Sequence, residues 1–271
     1  MIHLRSIELR SLGERADYPF SVPAIAGLTG IEFTAPVTFL VGENGSGKST
    51  FMESLAIAAR SVTVGSTDAH RDESLKPLRE LARQYKLAWS KRTHKGFFLR
   101  AEDFFGFAKR MGQMRAEMEG ELAAIDREYV GRSDKAKSLA AMPYNNELAA
   151  MERRYGVDLT ARSHGESFLN LFQSRFVPDG LYLLDEPEAP LSPLRQVGFL
   201  ALLNEMTTTH NAQFIIATHS PILMAFPGAT ILNFDEIPVR PVAWDALEHV
   251  TITRSFLNDP GAYLHYIQEK T

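Results

Sequence analysis

The stretch Gly42-Glu43-Asn44-Gly45-Ser46-Gly47-Lys48-Ser49 restricts what this chain can become more than any other, because three glycines within six residues let the backbone turn with its N–H groups pointing inward. Such a ring of donors, joined to the positive end of a following helix, is an anion site shaped for phosphates. The flanks agree. Val37-Thr38-Phe39-Leu40-Val41 is a short apolar run that predicts a buried strand, and Thr50 to Arg60 is apolar almost all round, which predicts a helix covered on most sides. At ordinary residue frequencies, a chance match to G-x-x-x-x-G-K-[ST] in a chain this long is roughly a one-per-cent event. The loop therefore predicts a triphosphate cradle built from Gly42, Glu43, Asn44, Gly45, Ser46 and Gly47. Lys48 would neutralise the β- and γ-phosphates, Ser49 would ligate Mg²⁺, and Thr50 would contact phosphate oxygens.

Two acids follow a second apolar run, Leu181-Tyr182-Leu183-Leu184-Asp185-Glu186-Pro187. They fall at the carboxyl end of a predicted strand, the edge where open α/β sheets bind ligands. Asp185 is placed to hold the magnesium, and Glu186, one residue on, to orient and deprotonate an attacking water; capping of the turn before Pro187 is the structural alternative. Phe214-Ile215-Ile216-Ala217-Thr218-His219-Ser220 repeats the layout with a histidine, 33 residues after Glu186. One helix and one parallel strand later, His219 should reach the same edge, where a neutral imidazole can sense the γ-phosphate.

Strand, helix, strand in that order argues for a right-handed crossover and a parallel sheet, so the fold class is α/β. Ser192 followed by Pro193 starts the intervening helix. Ile2, Leu4, Ile7 and Leu9 alternate, as do residues near Ile31, which predicts N-terminal strands, and GFFLR (96–100) reads as another. Between Ser66 and Lys95, apolar Leu75, Leu78, Ala82, Tyr85 and Trp89 recur at helical spacing among eight basic residues, predicting a basic amphipathic helix. Phe104, Phe107, Met111, Met114, Met118, Leu122 and Ile125 step by three and four inside a segment, 103–162, whose acids and bases balance. This predicts a helical subdomain inserted at 103–162 into a core formed by 1–102 and 163–271.

With 29 Lys and Arg against 33 Asp and Glu, the 271-residue chain carries a formal charge of −4 and has no global field for a nucleic-acid backbone. It has no cysteine, which excludes disulfides, thiolate metal sites and a cysteine nucleophile. The start MIHLRSIELR lacks the apolar core of a secretory signal, and no segment reads as a membrane span, so the expected location is cytoplasmic.

The order Gly42–Ser49, Ser163-His164-Gly165-Glu166, Leu181–Glu186 and Thr218-His219-Ser220 resembles the ATP-binding-cassette class of P-loop ATPases. It is closest in kind to the soluble, single-chain bacterial members described as AAA-family or SMC- and RecF-like ATPases. The resemblance implies a mainly parallel core sheet with N-terminal antiparallel strands and a helical insertion. It also implies ATP and Mg²⁺ as cofactors and an ATP-dependent homodimer in which each head offers a signature loop to the nucleotide of the other. Ser163 and Gly165 fall at that signature, although His164 stands where the class has its first glycine and Glu166 where it has glutamine. The same four residues also form a capping box. By the same resemblance Glu102 occupies the place of a magnesium-sensing glutamine, and Ala189-Pro190-Leu191-Ser192 that of a loop touching the other head, without its usual aspartate. Tyr18 and Phe20 precede the loop at about the distance where such proteins stack an aromatic on adenine, and core packing is the stronger expectation for either one alone.

The expected activity is hydrolysis of ATP coupled to association and separation of two heads. A P-loop phosphotransferase is the alternative reaction, and a transporter's cytosolic subunit is disfavoured by the altered signature. A nucleotide-gated clamp on DNA or a protein is the alternative role, motivated by the basic stretch 71–95.

Overall fold

The computed structural model of the chain describes residues 1–10, 15, 17–64, 75–155 and 164–268. From the N-terminus, β1 (Leu4–Leu9), α1 (Pro23–Ala26) and β2 (Gly30–Glu32) lead to β3 (Val37–Val41), α2 (Lys48–Ala59) and β4 (Val62–Thr63). Then come α3 (Lys76–Gln84), β5 (Tyr85–Trp89), β6 (Phe97–Arg100) and the long pair α4 (Ala101–Glu128) and α5 (Asp134–Tyr155). The remainder alternates: α6 (His164–Arg175), β7 (Leu181–Asp185), α7 (Pro193–Thr208), β8 (Gln213–Ala217), α8 (Pro221–Met224), β9 (Thr230–Asn233), β10 (Arg240–Pro241), α9 (Glu248–Asn258) and α10 (Pro260–Gln268).

The main sheet has the order β10-β9-β3-β8-β7-β6-β4, parallel throughout except for the antiparallel β10 edge. Strand alternation sorts its side chains into two cores. Phe39, Tyr182, Leu184, Phe214 and Ile216 face α6 and α7, where Phe172 stacks on Phe199 at 4.9 Å and Tyr182 on Phe214 at 5.0 Å. Leu40, Leu181, Leu183, Ile215 and Ala217 face the other way, onto α2. That helix is covered on its far side by the antiparallel sheet β2-β1-β5, so Phe51, Met52 and Leu55 are wholly buried and its near-uniform apolar character is explained. Gln213 joins the sheets, its amide oxygen accepting from the backbone N–H groups of His3 and Leu4 at 2.8 Å each.

β6 meets β7 through a close backbone approach. Gly96 has φ +108°, and a Cβ there would lie 1.9 Å from the Leu181 carbonyl oxygen, so only glycine fits. Immediately after β6 the chain enters α4, which packs against α5, and Arg115 bridges the pair by contacting Glu119 and Glu152. Among the described residues no helix is long and apolar enough to cross a membrane.

One sequence expectation is corrected. The predicted basic helix ends at Gln84, and Tyr85–Trp89 forms strand β5, paired antiparallel with β1 from Leu9↔Tyr85 to Leu4↔Trp89. The spacing of Tyr85 and Trp89 suits a helix, but YKLAW also alternates, and the open edge of β1 selects the strand. Three bases of the stretch have acidic partners: Lys86 pairs with Glu8 at 2.8 Å, and Lys91 and Lys95 lie 3.8 and 3.7 Å from Asp179.

Candidate active site

Register brings the chemistry together. Leu40 of β3 lies opposite Ala217 of β8, Ala217 opposite Asp185 of β7, and Asp185 opposite Arg100 of β6. On the other flank Val41 is opposite Asn233 of β9. Five strands therefore end at one edge, and the residues that follow them share it.

The loop after β3 has φ +145°, +85° and +102° at Gly42, Gly45 and Gly47. Gly42 and Gly47 are also tight, since a Cβ would come 2.9 Å from Asp235 Oδ1 and 2.6 Å from Val22 Cγ1. Gly47 leads directly into α2, whose first residue is Lys48. The Lys48 ammonium is buried inside the loop, donating to the carbonyls of Gly42 at 2.7 Å and Glu43 at 2.9 Å. Burial pulls its pKa down, while Asp235, Asp185 and Glu186 oppose that pull. A cavity of about 380 Å³ opens beside it, lined among others by Tyr18, Asn44, Ser49, Thr50 and Glu186. Tyr18 is exposed there, with its hydroxyl 3.5 Å from Thr50 Oγ1, whereas Phe20 is buried beneath the Arg15 guanidinium.

Parity fixes the two acids. Leu181 and Leu183 point to α2, so Asp185 does too, and it stands beside Ser49. The Asp185 carboxyl is pushed up to about 6, chiefly by burial, with the Ser49 hydroxyl and Arg100 holding it back. Its Oδ1 is buried and has no hydrogen-bond partner among the described residues. An orphaned carboxylate oxygen next to a hydroxyl is a hard-oxygen donor set that fits Mg²⁺, which takes few protein ligands and completes its shell with phosphate and water. Glu186 turns away into the left-handed region at φ +52°, is half exposed, and continues the β7–β8 ladder by donating its N–H to Ala217 O at 2.9 Å.

His219 reaches the same place from β8. Its Nε2 lies 3.9 Å from Glu186 Oε1, is buried and has no hydrogen-bond partner among the described residues. Burial, then Lys48, holds its imidazole below the ordinary histidine range, so the neutral form dominates at pH 7. Ser49, Lys48, Asp185, Glu186 and His219 are thus brought to one edge. Glu102 sits in the first turn of α4, exposed and ion-paired with Arg100. Gly165 is in the first turn of α6, while Ser163 lies outside the described residues.

Four further side chains belong to this edge. Arg100 contacts Glu53 of α2 and lies 4.0 Å from Asp185 Oδ2. Asp235, just past β9, accepts from the Glu43 N–H at 2.8 and 3.1 Å and so clasps the start of the phosphate loop. Glu188 accepts from the His219 N–H at 2.7 Å and ties the two loops together. His249 of α9 lies beside His219, with 3.3 Å between ring nitrogens. Of these, only Arg100 carried a usable signal, as the polar end of an apolar strand.

The family model described as "AAA domain, putative AbiEii toxin, Type IV TA system" matches residues 65–225, more than half of the chain. No curated protein sequence matches it. Solved structures of similar shape include the Smc head domain of Pyrococcus furiosus bound to the C-terminal domain of ScpA (12% identity, 94% of this chain and 100% of that one, TM-score 0.45). Others are cbiO1 of Clostridium perfringens, part of the ABC transporter complex cbiONQ (17%, 99% and 100%, 0.43), and the dimeric bacterial ABC transporter cassette MJ0796 (16%, 91% and 100%, 0.41). The chain belongs to the AAA family that this model defines, and with its glycine phosphate loop it is an ATPase.

Proposed function

We propose that the protein hydrolyses ATP with magnesium at the edge shared by β3, β7 and β8, and that the cycle joins and separates two heads placed head to tail. The observation that carries this reading is the meeting of Lys48, Ser49, Asp185, Glu186 and His219 around the mouth of one glycine loop. Backbone N–H groups of the loop would hold the phosphates, and the Lys48 ammonium would exchange its two carbonyl acceptors for phosphate oxygens. Ser49 Oγ and Asp185 Oδ1 would hold the magnesium, which when bound offsets charge on the β- and γ-phosphates. Glu186 is the base for the attacking water, and His219 donates from Nε2 to the γ-phosphate. The exposed Tyr18 ring is the adenine platform.

Glu186 is half exposed, so a single head leaves the attacking water and the γ-phosphate open to bulk solvent. A second head, presenting Gly165 from the start of its α6 together with Ser163, would close the site. The paired acids suit water rather than an acceptor hydroxyl, so phosphate should appear without any added acceptor. The Glu186→Gln protein tests the assignment: hydrolysis should slow by roughly 10²–10⁴-fold with ATP binding retained. Turnover at the parental rate would remove Glu186 from the mechanism. Lys48→Ala should abolish the binding heat in calorimetric titration with ATP.

A further inference from the structure

Helix α9 carries His249 to within 3.3 Å of His219, its Nε2 facing Nδ1 of the other ring, with ring centroids 5.3 Å apart. The helix is not free to drift. Leu247 and Val250, on either side of the segment's polar pair, are buried in the core under α8, and the Trp244 indole donates to the Pro221 carbonyl at 3.0 Å, two residues beyond His219. We propose that His249 is a positioning residue for hydrolysis: its Nε2–H donates to Nδ1 of His219 and so keeps the His219 proton on Nε2, the nitrogen that faces the γ-phosphate. This rests on the role given to His219 above.

The direction of the bond follows from counting protons. A neutral imidazole has one N–H, so of two facing ring nitrogens one donates and the other accepts. Were His219 the donor, its Nε2 would be a bare lone pair, buried and turned toward the Glu186 carboxylate at 3.9 Å, with the γ-phosphate arriving on the same side. Three acceptors would then meet with no proton among them. With His249 as donor, the His219 Nε2–H has acceptors to face. Glu43 supports this arrangement, since its Oε1 lies 3.8 Å from His249 Nε2 and favours a proton there. Glu43 belongs to the phosphate loop, so α9 touches both the loop that binds the triphosphate and the residue that reads its last phosphate.

The parent protein answers first. In ¹⁵N spectra of the histidine rings, His219 should show a protonated Nε2 and a bare, hydrogen-bonded Nδ1; a protonated Nδ1 overturns the proposal. In His249→Ala the two tautomers should mix, and kcat for ATP should fall roughly ten- to a hundredfold, the range for loss of an outer partner of a working imidazole. ATP affinity should stay unchanged. His249→Gln should recover most of the rate, because its amide N–H can donate from a similar place. In a His219→Ala background, His249→Ala should slow turnover no further. Parental turnover by His249→Ala beside a slow His219→Ala, or losses that multiply, overturns the inference alone. Parental turnover by His219→Ala overturns the reading beneath it.

Discussion

Asp185 shows how one buried carboxylate links stability to chemistry. Its pKa rises from 3.8 to about 6 because burial disfavours the charge more than Ser49 and Arg100 favour it. Between those two values the folded state binds the proton more tightly than the unfolded chain, so stability falls as pH rises through that window. Above pH 6 the full penalty, roughly 3 kcal/mol, is present. Asp185→Asn keeps the shape and removes the charge. In chelator and without nucleotide it should unfold at higher urea than the parent at pH 7.5, the gain shrinking toward pH 4, while magnesium-dependent turnover is lost. A gain equal at both pH values would contradict this account. Asp185 could be read from the sequence because it ends an apolar run, where a charge demands a reason. Asp235, Glu188 and His249 could not: each is a single polar residue in a loop or mixed helix, and only the folded chain shows what it touches.

Among the elements, the legible ones carry a strong period or a run long enough to exclude alternatives. β3, α2, β7 and β8 are of this kind, and together they form the cradle and the acid edge. β5 was hidden because five residues fit both periods, and β9 because TILN is too short to separate from the turn before it. The parallel pairing of β9 with β3 matters to the site all the same, since it is what delivers Asp235 to the phosphate loop. Element contacts also set a sharp limit at Gly96. With φ +108° and the Leu181 carbonyl where a side chain would begin, Gly96→Ala forces β6 away from β7. We expect a loss of about 3 kcal/mol or more in urea unfolding, from left-handed strain and the broken ladder together. A loss below about 1 kcal/mol would show that the strands can separate locally at little expense.

At the scale of the whole molecule, the head-to-tail reading makes a prediction that no single chain can satisfy. Gly165→Arg should block the α6 end offered to a partner, and Lys48→Ala should disable the phosphate loop; each protein alone should be inactive. Mixed in equal amounts, half of the dimers hold one intact composite site, so activity should return to about a quarter of the parental value. Sedimentation of Glu186→Gln with ATP should show the dimer accumulating, and a monomer at saturating ATP would end the two-headed model. The order of strands has another outcome. Both neighbours of β3 come from the C-terminal third of the chain. A nascent protein leaving the ribosome therefore carries its glycine loop long before it owns the strands that brace it, and it stays blind to nucleotide until β8 and β9 have emerged.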